Sequence, residues 1–190
     1  MITELEELRL VRKLITEAKD QLDNQSRTCG DVAIGAMIEV PAAAVMIDHL
    51  LQEADFVSIG TNDLAQYMAA ADRDNPKVGH LCQALSPSVI RVVRSVIEAC
   101  RTANKEVSVC GELAGSTRAV PLLIGMGLRK FSMSPAFIRP IRDLVNHVTI
   151  AQCEGLLADS LKLRTTAEVQ KLLDTYLDCV CSDAASWLLK

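Results

Sequence analysis

Four strand-like segments of this sequence each end in residues able to do chemistry, and the types complement one another. Glu39 closes the first, Gly60-Thr61-Asn62-Asp63 follows the second, Cys110-Gly111-Glu112 the third and Ser132-Met133-Ser134 the fourth. Glu39 and Asp63 are hard oxygen donors at the ends of consecutive strands. Two such carboxylates, with positions left for water and substrate, suit Mg²⁺; the competing readings are a helix cap for Asp63 and a buried acid paired with an arginine for Glu39. Cys110 ends its strand and is followed by a glycine, which lets a ligand approach the backbone closely. A thiol is mostly protonated at neutral pH and can donate that proton, although cysteine is also among the most buried residue types. Arg73, in Ala-Asp-Arg-Asp-Asn, offers a forked contact for a carboxylate or phosphate, or a surface ion pair with Asp72 or Asp74. His49, His80 and His147 have no acid or nucleophile at a useful spacing and read as non-catalytic. Cys179-x-Cys181 lacks the second ligand pair that a zinc site needs and reads as a helix end.

The elements that must position these residues alternate. Apolar spacing at Leu8, Val11, Ile15, Ala18 and Leu22, behind a Thr3-x-x-Glu6 capping box, predicts a helix over 3–27. A buried strand over 33–39 is expected next, then a helix over 41–53 opened by Pro41. A second strand at 55–60 leads into a short helix to residue 71, capped by Thr61 or Asn62. Residues 72–85 are polar and irregular, a long excursion of the kind that often carries function. A helix over 86–103 turns Val89, Val92, Val93, Val96 and Ile97 inward, before a third strand at 106–110, a helix over 116–125 capped by Ser116, and a fourth strand at 130–133. Two or three helices follow, the last with a second capping box, Thr165-x-x-Glu168, and a stripe of Val169, Leu172, Leu173, Tyr176 and Val180. Strands alternating with helices imply a parallel sheet with right-handed crossovers. Polar residues gathered at the strands' C-terminal ends are the layout of a β/α active face, in a barrel or in an open sheet.

Composition narrows the function classes. With 190 residues the chain reads as a single domain, 1–190, and its 3% aromatic content makes the core aliphatic and argues against stacking platforms for single-stranded nucleic acid. A net charge of −4, without a Lys/Arg-rich run, gives no footprint for nucleic acid or an anionic membrane. No apolar run approaches the ~20 residues of a membrane span. The N-terminus is acidic, unlike a signal peptide, and seven irregularly spaced cysteines read as reduced thiols, so a cytoplasmic location is expected.

Taken in order, several segments resemble the phosphoenolpyruvate-utilising enzymes, most closely the phosphoenolpyruvate–protein phosphotransferases (the Enzyme I family of the bacterial sugar phosphotransferase system). They are residues 35–44 (Gly-Ala-Met-Ile-Glu-Val-Pro-Ala-Ala-Ala), 55–67 (Asp-Phe-Val-Ser-Ile-Gly-Thr-Asn-Asp-Leu-Ala-Gln-Tyr), Asp72-Arg73, 85–89 (Leu-Ser-Pro-Ser-Val), 110–115 (Cys-Gly-Glu-Leu-Ala-Gly) and 131–134 (Phe-Ser-Met-Ser). The resemblance implies the C-terminal half of a (β/α)₈ TIM-type barrel, with about four parallel strands and flanking helices, in place of the eight strands and roughly 250 residues of a whole one. It implies Glu39 and Asp63 as Mg²⁺ ligands, Asn62 and Arg73 as residues holding the anionic groups of phosphoenolpyruvate, and Cys110 as the acid that protonates the enolate to pyruvate.

The same resemblance implies absences. The chain starts where the family's fourth strand ends, so the arginines that grip phosphate are expected to lie outside it. So is the domain carrying the phosphate-accepting histidine, which docks the histidine-containing phosphocarrier protein. The 190 residues alone are therefore expected to be inactive, and to pair as a homodimer, as the family does through this domain. Two other readings stand beside this one: a fragment of pyruvate phosphate dikinase or phosphoenolpyruvate synthase, and a non-catalytic dimerisation module.

Overall fold

A computed structural model describes residues 1–181, without the side chain of Cys181. The Cys179-x-Cys181 spacing therefore lies partly outside the described residues. Helix α1 (Leu5–Asn24) leads to β1 (Gly35–Ile38), followed by two short helices, α2 (Pro41–Val45) and α3 (Ile47–Glu53). Then come β2 (Phe56–Gly60), α4 (Thr61–Ala69), α5 (Pro87–Thr102) and β3 (Glu106–Cys110). The described residues continue through α6 (Ala119–Gly125), β4 (Lys130–Phe131), α7 (Pro135–Val145), α8 (Ile150–Ser160) and α9 (Thr166–Cys181). The strands form one parallel sheet in the order β1-β2-β3-β4. Both β1 and β4 are edges of that sheet, so the described strands do not themselves close a barrel.

The two faces of the sheet differ. Ala36, Ile38, Val57, Ile59 and Val109 are buried against the helices. The alternate positions carry Met37, Ser58 and Ser108, which are register partners across three strands, with the Ser108 hydroxyl donating to that of Ser58 at 3.2 Å. These residues are half-buried or exposed. The strands were expected to be buried runs; alternation with period two leaves them buried on one face only. Cys110 lies on the more open face, two residues beyond Ser108.

Helix boundaries and faces depart from expectation in instructive places. Helix α1 is held at its start by Glu7, not Glu6: the Glu7 carboxylate accepts from the Thr3 amide at 2.5 Å, the Thr3 hydroxyl at 2.8 Å and the Glu4 amide at 3.0 Å. Of the residues whose spacing predicted the helix only Leu8 is fully buried, and Val11 and Ala18 face solvent. The face turned to the protein instead takes in Arg12, whose guanidinium reaches Glu53 carbonyl oxygen and Asp55 in the approach to β2. The single helix expected over 41–53 breaks at Met46, where ψ moves to 19°. Helix α6 starts at Ala119 after a 3₁₀ turn over Glu112–Gly115, and Ser116 contributes backbone carbonyl, not side chain, to its start. The fourth strand is two residues long. At α5 the Ser86 side chain caps the helix start, and of the valines and isoleucine expected to face inward Val89, Val93, Val96 and Ile97 are buried and Val92 is half-buried. At α9 the Thr165–Glu168 box forms, with Glu168 accepting from the Thr165 amide at 2.9 Å and donating its own amide to the Thr165 hydroxyl at 3.2 Å. Val169 and Leu173 are fully buried beneath it.

Three carboxyls that tie down helix and strand starts are held below their usual range. Backbone N–H donors from Thr3 and Glu4 do this for Glu7, from Arg164 and Thr165 for Glu168, and from Ile34 for Asp55. A depressed carboxyl contributes stability that is fully present above its unfolded value and is lost as pH falls through the folded one. Thermal midpoints followed by circular dichroism should therefore be level near neutrality and fall once pH drops below the ordinary glutamate value of 4.5. Glu168→Gln should lower the midpoint at neutral pH and flatten the acid fall; an unchanged acid profile in that variant would contradict the assignment.

Candidate functional site

The β2–β3 pairing ends at Gly60 opposite Cys110, and there both chains leave the sheet. Past Gly60 the backbone turns directly into α4. Thr61 and Asn62, anticipated as caps of that helix, do not cap it. Both side chains reach across to the end of β3: the Thr61 hydroxyl donates to the Cys110 carbonyl at 3.0 Å, and Asn62 Oδ1 accepts from the Glu112 amide at 3.3 Å. With the oxygen of Asn62 committed to an N–H donor, its amide NH₂ is the end available to an acceptor. Gly111 sits under this bridge with φ +93°. A methyl group there would lie 3.0 Å from Asn62 Oδ1 and 3.1 Å from Thr61 Oγ1. Only glycine satisfies both the backbone angle and the space.

Cys110 is partly exposed, with its thiol donating to the Ile59 carbonyl at 3.5 Å. It fronts a hollow of about 360 Å³ lined also by Asn62, Glu112, Ser132, Ser134 and Phe137. A neighbouring cleft of about 720 Å³ is lined by Asn62, Arg73, Gln83, Glu112 and, from α9, Gln170. Asn62 and Glu112 border both spaces, so the bridge between β2 and β3 is the wall they share. His49, His80 and His147 line neither.

Arg73 is anchored by its backbone amide, which donates to Gln66 Oε1 at 3.0 Å. Its guanidinium pairs with Asp63 at 3.5 Å, not with Asp72 or Asp74. The Asp72 carboxylate is turned instead to the Asp74 amide. Both partners of the Arg73–Asp63 pair are well exposed, so the pair contributes little stability and both groups remain open to other ligands. Glu39 follows β1 directly and is 13% exposed. Its side chain lies over Gly60, where a methyl group would come within 2.9 Å of its Cβ, and its carboxylate meets the Met1 ammonium at 3.4 Å. Cys110 and Asn62 thus share one hollow, Asn62 and Arg73 share the other, and Asp63 is paired to Arg73. Glu39 and Asp63 line neither hollow. Among the described residues no three His, Cys, Asp or Glu side chains gather as a metal site.

Comparison with known proteins gives this arrangement its context. A family profile described as "PEP-utilising enzyme, PEP-binding domain" matches residues 1–150. The chain belongs to the phosphoenolpyruvate-utilising enzymes. It is 41% identical over 177 residues to the phosphoenolpyruvate-protein phosphotransferase of Listeria monocytogenes, covering 93% of this chain and 31% of that protein. It is similarly 40% identical over 178 residues to the protein of that name from Buchnera aphidicola, with the same coverage, and 39% identical over 170 residues to that from Bacillus subtilis, covering 89% of this chain and 30% of the relative. The chain spans about a third of the length of these curated relatives.

Within this family member, several contributors escaped sequence reasoning, Phe137 and Gln83 of the lining among them. Thr61 and the Glu112 amide act across strands, although a hydroxyl directly after the Gly60 strand end and a glycine directly after Cys110 were available as signals. Gln170 stands far from the other lining residues in sequence, and nothing local marks it. In the cradle itself, Gly111→Ala should cost more than Gly127→Ala. Both have positive φ, +93° and +96°, but no atom lies within 4 Å of a methyl at Gly127. Gly111, with ψ −169°, lies in a region that is essentially reserved for glycine, and only Gly111→Ala also displaces Asn62 and Thr61. Urea denaturation of the two variants measures the difference; equal losses would contradict the special demand at Gly111.

Proposed function

We propose that this chain supplies the metal-holding and proton-donating part of a phosphoenolpyruvate–protein phosphotransferase. The observation that carries the reading is Cys110, whose thiol fronts a hollow at the end of β3 beside the outward amide of Asn62. The relatives' names support the reaction class: those from Listeria monocytogenes, Buchnera aphidicola and Bacillus subtilis are phosphotransferases, not dikinases or synthases. In this reading residues 1–190 are one domain and the sheet is the second half of a TIM-type barrel. The strands carry helices against one face and a more open face of Met37, Ser58, Ser108 and Cys110. All-parallel sheets are normally covered on both sides, and a barrel interior would cover the second. Pairing as a homodimer, and docking of a histidine-containing phosphocarrier protein on a domain outside these residues, complete the proposal.

The chain's own groups divide the work as follows. Asn62 donates its NH₂ to an anionic oxygen of phosphoenolpyruvate, and Arg73, turning from Asp63, provides a forked cationic contact to carboxylate or phosphate. Glu39 and Asp63 fit Mg²⁺: both are carboxylates at adjacent strand ends, and two protein oxygens with the remaining positions left to water and substrate are the usual Mg²⁺ arrangement, rather than an all-protein cage. When bound, the ion supplies positive charge against the enolate that remains once the phosphoryl group has left. Cys110 then gives its proton to the methylene carbon of that enolate, forming pyruvate. The phosphoryl group itself goes to a histidine outside these residues.

Calorimetric titration of the 190-residue chain with Mg²⁺ should show weak, saturable binding that Glu39→Gln and Asp63→Asn each remove. The chain alone should take no phosphoryl group from phosphoenolpyruvate. Mg²⁺ binding unaffected by both substitutions would remove these ligands, and autophosphorylation of the chain by itself would overturn the division of labour.

A further inference from the structure

We infer that Thr61 is a positioning residue for the Cys110 thiol, acting through the Cys110 carbonyl. Among the described residues Thr61 is one of two polar side chains that are fully buried, with 0% exposure. A buried hydroxyl is retained at a cost unless it is hydrogen-bonded, and the hydrogen bond that Thr61 makes crosses to the end of β3. Thr61 Oγ1 donates to the Cys110 carbonyl at 3.0 Å, continuing the β2–β3 pairing one residue beyond its last register pair, Gly60 with Cys110. The Cys110–Gly111 peptide is thereby fixed from the residue that follows β2, with Gly111 held at φ +93° and a methyl group there coming within 3.1 Å of Thr61 Oγ1.

The same strand holds the thiol. Ile59, two residues before Thr61, accepts from Cys110 Sγ at 3.5 Å. Cys110 is therefore held at its sulfur by β2 and at its carbonyl by Thr61, the first residue of α4, and the direction of its Cα–Cβ bond follows from the peptide that Thr61 fixes. Removing the hydroxyl frees that peptide and lets the thiol swing away from Ile59 toward the hollow. Valine matches threonine in shape and lacks the donor; serine keeps the donor. The inference deepens the reading of Cys110 as the proton donor and rests on it for its functional meaning, while its geometric content stands separately.

Site-resolved alkylation of the full chain by iodoacetamide, followed by peptide mass spectrometry, tests it. The other cysteines are internal reporters. Cys100 and Cys153 are fully buried, and burial pushes the Cys100 thiol up to about 11 and Cys153 upward as well, so both react only when the fold opens. In Thr61→Val, Cys110 should react about fivefold faster, the opening expected when one hydrogen bond of ordinary net strength is lost. Cys100 and Cys153 should stay slow, and Thr61→Ser should return Cys110 to its original rate. A Cys110 rate in Thr61→Val that is unchanged or lower overturns the inference. So does a parallel rise at Cys100 and Cys153, which would mark general loosening. Should Thr61→Val not fold, Thr61→Ala removes the same hydroxyl and is judged by the same outcomes. None of these rates depends on phosphoenolpyruvate, so failure here would leave the chemical role of Cys110 standing, and loss of that chemical role would leave the clamp intact.

Discussion

Where β2 and β3 end side by side, the chain must leave the sheet twice within a few ångströms, and each exit is tied to the other instead of to itself. The Thr61 hydroxyl and the Asn62 carbonyl oxygen, which could have capped α4, are spent on the Cys110 carbonyl and the Glu112 amide. An uncapped helix start costs about 1 kcal/mol. Here the donors and acceptors at the end of β3 receive the bonds, and Gly111 is the residue that lets the two exits approach. The direction of the Cys110 thiol, the outward amide of Asn62 and the wall between the two hollows all follow from that junction.

The rest of the fold serves to bring this junction to one edge. Aliphatic alternation in β1, β2 and β3 commits one face of the sheet to the helices and leaves the other with small or flexible residues, ending in Cys110. Helix α9, from which Gln170 looks into the larger cleft, is seated by the fully buried Val169 and Leu173, and the exposed Arg118–Asp174 pair at 2.6 Å adds little. Arg73 is carried on a long loop, and its amide bond to Gln66 ties that loop back to α4. The loop is thus anchored at its root while the guanidinium, facing an exposed Asp63, stays free to exchange partners.

Much of this was legible from residue order, for physical reasons that differ by element. β3 and the Thr165–Glu168 box form where expected because both depend on local chemistry: a bounded apolar run, and a reciprocal pair of bonds three residues apart. The first helix forms where its spacing predicts, but its capping carboxylate is Glu7 in place of Glu6, and Arg12 is drawn inward by oxygens at the approach to β2, a tertiary pull that no periodicity records. The caps at Thr61 and Asn62 misled for a similar reason. Their types fit a cap, but acceptors and donors on a neighbouring strand compete for them, and that competition depends on register. The strand-end chemistry of Glu39, Asp63 and Cys110 was visible as spacing; the glycine-framed bridge that links the second strand end to the third was not.

The proton-donor role of Cys110 is open to one direct measurement. In a full-length chimera, with this chain replacing the matching segment of the Bacillus subtilis relative, single-turnover formation of pyruvate from phosphoenolpyruvate is compared between Cys110 and Cys110→Ala. The expected result is undiminished binding of phosphoenolpyruvate, with pyruvate formation slowed by about 100-fold or more, the usual contribution of a positioned general acid. Pyruvate formed at the same rate without the thiol would remove Cys110 from the chemistry and leave the junction of β2 and β3 as architecture alone.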